Sequence, residues 1–181
     1  MGVYTLNQDQ LRNILIKNWM THDALWYGEV VTKFGMAEAS PMNIRVCRKL
    51  GQIEFARLMK MVEAPPPKNI QEYQELFEVG KEVFFPDFAS AQISYPGNDS
   101  QMFHFLNCFA HKGMKKLGLL KDYECGIFER IEGWFDAMGL TYTRTPDLSH
   151  CLKLTGKECT ITVQFHFESN EGPPCRNQNG V

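Results

Sequence analysis

The segment that decides the fold is residues 157–167, KECTITVQFHF. In it, the apolar residues Val163 and Phe165 alternate with the polar residues Gln164 and His166. Successive side chains of a strand point to opposite faces of the sheet, so this alternation predicts one buried face and one polar face. Such a two-faced strand is typical of an antiparallel sheet with a single covered face.

Upstream of this strand, apolar residues first follow the period of a helix and then the period of a strand. We predict helices over 7–34, 41–62 and 70–83, strands over 90–95 and 101–107, helices over 109–117 and 125–138, and a strand over 140–145. This order predicts an α+β fold, in which N-terminal helices are followed by an antiparallel sheet covered by helices. The strands and helices of the second half run strand-strand-helix-helix-strand-strand.

Three regions follow from this pattern. Residues 1–85 form a helical region, and residues 86–168 form an α+β region that holds a metal or a ligand. Residues 169–181 contain few apolar side chains and are predicted to be a disordered tail. A chain of 181 residues is long enough for the first two regions to share one core.

Composition and charge exclude several classes of partner. The net charge is −2, which gives no electrostatic reason to expect nucleic acid. No run of about eighteen apolar residues is present, so we expect no membrane span. The first residues, MGVYTLNQDQ, lack the basic and then apolar pattern of a secretory signal. We therefore expect a cytoplasmic protein whose six cysteines are reduced.

Two thiols flank a predicted turn in residues 151–159, CLKLTGKEC. A three-residue loop with Gly156 in the left-handed conformation would pair Cys151 with Cys159 on one face of a hairpin. Paired residues are close enough for both sulfurs to bind one zinc ion. A two-residue Thr-Gly loop would instead turn Cys151 to the other face. The sequence allows both registers.

More candidate zinc ligands come from two other segments. Cys108 and His111 stand at a predicted strand-to-helix junction, and Cys125 opens the next helix. Together with Cys151 and Cys159 they give five candidates for the four positions of a closed structural zinc site. The alternative is that these are buried free cysteines, which pack as small apolar residues.

Some aromatic and histidine side chains are candidates for a ligand pocket. His22 and Trp26 share one face of the first helix, and Trp134 lies in an aromatic-rich helix. They would line a pocket for a small apolar or aromatic ligand. The alternative is an amphipathic helix with a half-buried histidine, and core packing for the tryptophan.

The run from Cys125 through GWFDAMGL to Cys151 and on to Cys159 resembles the 4-vinyl reductase-like domain. This resemblance implies a zinc ion held by a cysteine before a helix and by two cysteines of the last hairpin, beside a small-molecule pocket. The acidic ligand of that domain falls on Leu148 here, so the fourth ligand would be Cys108 or His111.

The stretches HDALWYGEVVTKFGMAEA and VCRKLGQIEFARL are similar to a family of small uncharacterised prokaryotic cytosolic proteins. That family looks related to the aminothiazoline-carboxylate hydrolase-like proteins. The relation implies an alternative function, a small cysteine-dependent hydrolase acting on a C–N bond. In it, Cys108 at a helix start would have a lowered pKa and act as nucleophile, with His111 as base.

Two functions are therefore predicted from different classes. The first is a zinc-binding domain that binds or senses a small molecule, with a structural metal. The second is the hydrolase that uses Cys108 and His111. In either case the helical half could form a homodimer.

Overall fold

The computed structural model describes residues 4–167, so the predicted tail lies outside the described residues. In this part of the chain the elements follow the predicted order, and the predicted α+β class is confirmed. The bounds are α1 Gln8–Phe34, α2 Met36–Met61, α3 Ile70–Phe84, β1 Ser90–Ser94, β2 Ser100–Asn107, α4 Phe109–Lys116, α5 Gly126–Ala137, β3 Thr141–Thr145 and β4 Cys159–His166.

The four strands form one antiparallel sheet with the order β1-β2-β4-β3. β2 and β4 are its central strands, with Phe103 opposite Ile161. Ile161, Val163 and Phe165 are buried, whereas His166 is exposed. The predicted alternation in the last strand is therefore confirmed.

Aromatic side chains join the sheet to the helices. The rings of Tyr73 on α3 and Phe165 on β4 have centroids 4.4 Å apart, and Phe135 on α5 lies 5.2 Å from Phe165. On the other side of α5, Trp134 stacks on Phe55 of α2 at 5.5 Å. Helices α3 and α5 thus pack on the sheet, and α2 packs on α5.

A network of charges fixes α2 along α5. The guanidinium of Arg48 donates from Nε and Nη2 to the two carboxylate oxygens of Asp136, at 2.5 and 2.7 Å. Its Nη1 donates to Glu132 at 2.8 Å. A bidentate arginine–carboxylate pair has a defined geometry, so this network sets the relative position of the two helices.

Among the five α-helices of the described chain, α1 is the one without a fully buried residue. It begins at a capping box formed by Asn7 and Gln10, and it ends at Gly35, whose φ of 79° is accessible mainly to glycine. Helix α2 starts directly after Gly35, earlier than predicted, and Pro41 lies inside it. The helix tolerates Pro41 near its start at the cost of one backbone donor.

The predicted hairpin around Gly156 is wrong in both registers. Residues Leu152–Thr155 form a short 3₁₀ helix that Gly156 ends in the left-handed conformation. Cys151 therefore lies in the loop before this turn, and Cys159 pairs instead with Phe105 of β2. The two cysteines do not form a cross-strand pair, because the chain between β3 and β4 turns back through this helical segment.

Candidate ligand cavity and thiol cluster

A cavity of about 140 Å³ lies beneath α1. Its walls come from α1, α2, α4, the start of α5 and the loop before it. The residues that line it are Trp19, Met20, Asp23, Ala24, Tyr27, Asn43, Val46, Cys47, Leu50, Phe109, Ala110, Gly113, Met114, Tyr123, Gly126, Ile127 and Arg130. Most of these side chains are apolar, so the cavity favours an apolar occupant.

Small residues in the walls leave the space open. The small side chains of Ala24 and Ala110 fill little of the cavity, and Gly113 has no side chain. A β-carbon at Gly113 would have no neighbour within 4 Å. At Gly126, by contrast, a β-carbon would lie 2.8 Å from Asn43 Nδ2 and 2.9 Å from Cys47 Sγ. The start of α5 therefore closes against α2, and the open space lies on the α1 and α4 side.

One charged pair stands at the edge of the cavity. Arg130 donates from Nε and Nη2 to the carboxylate oxygens of Glu54, at 2.6 and 2.7 Å. Its guanidinium carbon lies 4.9 Å from the centroid of the Trp19 ring, which is a cation–π contact. Glu54 also accepts a hydrogen bond from Nε1 of Trp134 at 2.5 Å. Arg130 thus connects α1 to α2 while its charge is balanced by Glu54.

Asp23 is the acidic residue of the cavity wall. Burial raises the pKa of its carboxyl, an effect that Arg130 and His22 oppose. The hydrogen bonds and ion pairs of the described residues include none that Asp23 forms within the chain. Its carboxylate is therefore a half-buried acceptor next to an apolar space.

The cavity also contains a thiol. Cys47 Sγ lies 3.6 Å from Oδ1 of Asn43, its hydrogen-bond acceptor one turn earlier in α2. Burial raises the pKa of Cys47 to about 12, and the nearby Asp23 adds to this. At neutral pH Cys47 is therefore a protonated thiol with little nucleophilic character.

Two further spaces adjoin the cavity. A smaller one of about 40 Å³ lies toward Trp134, and an open groove of about 760 Å³ runs along α1. Met20 and Phe109 line all three. These two side chains thus lie between the cavity and the groove.

The predicted pocket residues do not meet at the cavity. His22 and Trp26 lie on the outer face of α1, where 62% of Trp26 is exposed. Trp134 is buried in the core and touches the smaller space only. Sequence reasoning missed Asp23 and Tyr27. Residues 20, 23, 24 and 27 have helical spacing and form the opposite face of α1, but their spacing does not show that this face meets the cavity.

The five predicted zinc ligands do come from segments that adjoin one another. They line a separate space of about 20 Å³, together with Leu148 and Leu152. Cys151 Sγ lies 3.6 Å from Nδ1 of His111, and the backbone N–H of His111 donates to Cys108 Sγ at 3.5 Å. Burial raises the pKa of Cys125 and Cys108, and raises that of Cys159 to about 11.

The predicted zinc site is not formed. Within residues 4–167, no three or more His, Cys, Asp or Glu side chains are grouped so that they could hold a metal ion. The physical reason lies in the backbone. Cys151 belongs to a loop and Cys159 to a central strand, so the expected pair of hairpin ligands is absent. The cluster of Cys108, His111, Cys125, Cys151 and Cys159 consists of half-buried, unbridged thiols with one imidazole.

The hydrolase assignment stays a prediction. The geometry does not pair the imidazole of His111 with Cys108, the thiol expected to be the nucleophile. The imidazole of His111 faces Cys151, whereas Cys108 receives only the backbone N–H at the start of α4. Burial raises the pKa of Cys108, although the hydrogen bonds from His111 and Ala110 oppose it. A protonated Cys108 lacks the thiolate that a nucleophile needs at neutral pH.

None of the helices in the described residues carries an apolar stretch long enough to cross a membrane. The outer face of α1 exposes Leu15, Leu25 and Trp26. The predicted homodimer would have to cover such a face, and it stays a prediction.

The fold and the site define a class, an α+β domain with an apolar cavity between its helices. Within that class, residues 4–138 match DUF6125, a family of unknown function, and the chain belongs to this family. No curated protein matches the sequence.

Among solved structures, the fold is similar to that of a trafficking protein particle complex subunit 3 from Naegleria fowleri, described as covalently bound to palmitic acid. The TM-score is 0.50 at 14% identity, and the match covers 79% of this chain and 92% of the other. At this identity the likeness concerns the fold alone. The resemblance to 4-vinyl reductase-like and aminothiazoline-carboxylate hydrolase-like proteins stays a prediction.

Proposed function

We propose that this protein is a small-molecule-binding domain whose ligand inserts an apolar body into the cavity beneath α1. The observation that carries the proposal is the cavity of about 140 Å³ with mostly apolar walls. An apolar cavity of about 150 Å³ in another protein stays dry and binds benzene, so this volume suits one ring or a short alkyl chain. Binding is favoured by the removal of apolar ligand surface from water, which contributes about 25 cal/mol of binding free energy per Å² buried.

Reversible binding is favoured over a covalent link to the chain. Cys47 is the thiol of the cavity wall, and burial raises its pKa to about 12. A thiol of that pKa is almost wholly protonated at pH 7, so it would accept an acyl group slowly. The fold-related subunit 3 is described as covalently bound to palmitic acid. A fatty acid is therefore a necessary comparison ligand for this chain.

A long chain would have to pass Met20 and Phe109. Both side chains line the cavity and the open groove of about 760 Å³. Rotation of either would connect the two spaces, and a long alkyl chain could then extend along α1. A short ligand would need no such movement.

The test is a series of neutral primary alcohols from butanol to decanol, titrated calorimetrically. Each buried methylene contributes about 0.8 kcal/mol, so affinity should rise about four-fold per carbon until the cavity is full and then level off. A rise that continues to decanol would show that the groove is used as well. Absence of measurable binding by every alcohol would contradict the proposal.

A matched pair of variants tests the place of binding. Ala110→Leu inserts a side chain into the cavity wall, whereas Ala37→Leu adds the same atoms to an exposed position of α2. We expect octanol binding to fall at least ten-fold in Ala110→Leu and to stay unchanged in Ala37→Leu. Octanol should also slow the alkylation of Cys47 in the parent protein. Equal affinity in the two variants would place the ligand elsewhere.

The cytoplasm is the compartment that we propose. The cysteines of the described residues are free, and unbridged thiols are typical of a reducing environment.

A further inference from the structure

The cavity beneath α1 has one acidic side chain among its described lining residues, Asp23. Asp23 lies in the middle of α1, with Trp19 one turn before it and Tyr27 one turn after it on the same face. A carboxylate thus sits between two aromatic rings in a wall that is otherwise largely apolar. A half-buried carboxylate beside an apolar space can accept charge-assisted hydrogen bonds from a ligand cation.

The cation that most lowers the pKa of this carboxyl, Arg130, is already paired. Arg130 makes two hydrogen bonds to Glu54, at 2.6 and 2.7 Å, and its side chain is 17% exposed. No ion pair of the described residues joins Arg130 to Asp23 within 4 Å. The formal charges of Arg130 and Glu54 cancel, so the wall keeps the negative charge of Asp23.

We propose that the ligand of this cavity is a primary amine with an alkyl or arylalkyl body, whose ammonium group binds the carboxylate of Asp23. The proposal rests on the proposed function and adds the chemical class of the ligand. The apolar body would lie against Val46, Leu50 and Ile127. The ammonium would donate charge-assisted hydrogen bonds to Asp23.

The aromatic neighbours favour the same ligand. Trp19 and Tyr27 flank Asp23, and the faces of aromatic rings attract cations. The guanidinium carbon of Arg130 lies 4.9 Å from the centroid of the Trp19 ring, whereas no cation of the described residues lies over the ring of Tyr27. A carboxylate ligand such as a fatty acid would instead place a like charge beside Asp23, which is unfavourable at short distance.

The test compares three ligands with the same eight-carbon chain, octylamine, 1-octanol and sodium octanoate, by calorimetry at pH 7. Hydrogen bonds to charged groups are stronger than neutral ones, so octylamine should bind at least about ten-fold more tightly than 1-octanol. Octanoate should bind most weakly. Since all three titrations use the parent protein, this comparison does not depend on how a variant folds.

A pair of variants assigns the preference to one carboxylate. Asp23→Asn should reduce the advantage of octylamine over 1-octanol to within about two-fold, and circular dichroism with urea unfolding shows whether the variant is folded. Glu38→Gln removes a carboxylate from an exposed position of α2 and should keep the full advantage.

The outcomes separate the two proposals. If 1-octanol binds but octylamine binds no better, or if the advantage survives in Asp23→Asn, the amine assignment is overturned and the apolar-ligand proposal stands. If octanoate binds most tightly, the ligand is an anion and the amine assignment is again overturned. If none of the three ligands binds, both proposals fail.

Discussion

Gly51 on α2 and Gly133 on α5 touch at the point where the two helices cross. A β-carbon added to Gly133 would lie 2.9 Å from the Cα of Gly51 and 2.3 Å from the backbone oxygen of Arg48. A β-carbon added to Gly51 would lie 2.0 Å from the backbone oxygen of Arg130. The close approach brings α2 near enough to α5 for Arg48 and Glu54 to form their ion pairs.

Alanine at this crossing should destabilise the protein. Gly133→Ala forces two backbones apart, and overpacking of this kind costs about 1–3 kcal/mol or more. Gly28→Ala is the matched control, because it also lies within a helix and its β-carbon would meet nothing within 4 Å. Alanine has the higher helix propensity, so Gly28→Ala should stabilise by up to about 1 kcal/mol. Urea unfolding of both variants measures the difference, and equal stabilities would contradict the crossing geometry.

Glu54 should be important for stability as well as for the cavity wall. Its side chain is 11% exposed and pairs with Arg130 and Trp134. Glu54→Leu leaves a buried guanidinium without its anion, which we expect to cost about 3 kcal/mol or more. Glu54→Gln keeps an acceptor oxygen for Nε1 of Trp134, so it should lower the free energy of unfolding by less than Glu54→Leu does.

The control for Glu54 is an exposed pair. Asp87 binds Arg12 at 2.9 Å, but 61% of its side chain is exposed. Asp87→Asn should change the free energy of unfolding by less than about 1 kcal/mol. A loss in Glu54→Leu no larger than that of Asp87→Asn would show that the buried pair contributes little.

Asp136 predicts a specific dependence of stability on pH. Burial works to raise the pKa of its carboxyl, and hydrogen bonds from Arg48 and Gln52 outweigh burial, so the pKa is below its ordinary value of 3.8. A carboxyl with a lowered folded-state pKa stabilises the fold above its unfolded-state pKa. That contribution is lost as the pH falls through the folded-state value.

The measurement is urea unfolding of the parent and of Asp136→Asn at pH 7 and near pH 2. We expect Asp136→Asn to be less stable at pH 7, and the difference should shrink in acid. Glu75→Gln removes an exposed carboxylate of α3 and should show a small difference at both pH values. A difference for Asp136→Asn that stays constant with pH would argue against the charged pair with Arg48.

Thiol reactivity distinguishes the buried thiols from a catalytic one. Cys125 and Cys47 should be alkylated slowly by iodoacetamide at pH 7, because burial raises the pKa of both and limits access. Cys108 should also react slowly, for the same reason. Mass-spectrometric mapping of the sites over time gives each rate, and unfolding in urea should make the rates similar. Fast alkylation of Cys108 ahead of every other cysteine would favour the hydrolase instead.

Local patterns were enough to predict the elements and the fold class. The alternation in residues 157–167 is a local property of the chain, and β4 has it in the structure. The helix bounds agree closely at α3 and α5 because the period of apolar residues is also local. The start of α2 was missed, since proline is a weak guide to a helix start when the helix can absorb one lost donor.

The sequence by itself determined which segments are helices and strands, and it offered four thiols and one imidazole as candidate zinc ligands. Only the tertiary structure decided that Cys151 leaves the hairpin and that no metal site forms within residues 4–167. The tertiary structure also decided which face of α1 lines the cavity. Apolar residues occupy both faces of that helix, so periodicity could not show that Met20, Asp23 and Tyr27 would face the cavity while Trp26 faces outward. The pairing of Arg130 with Glu54, which leaves Asp23 free for a ligand, depends on how α2 docks on α5. Such a choice between partners is a property of packing at long range, and no local pattern encodes it.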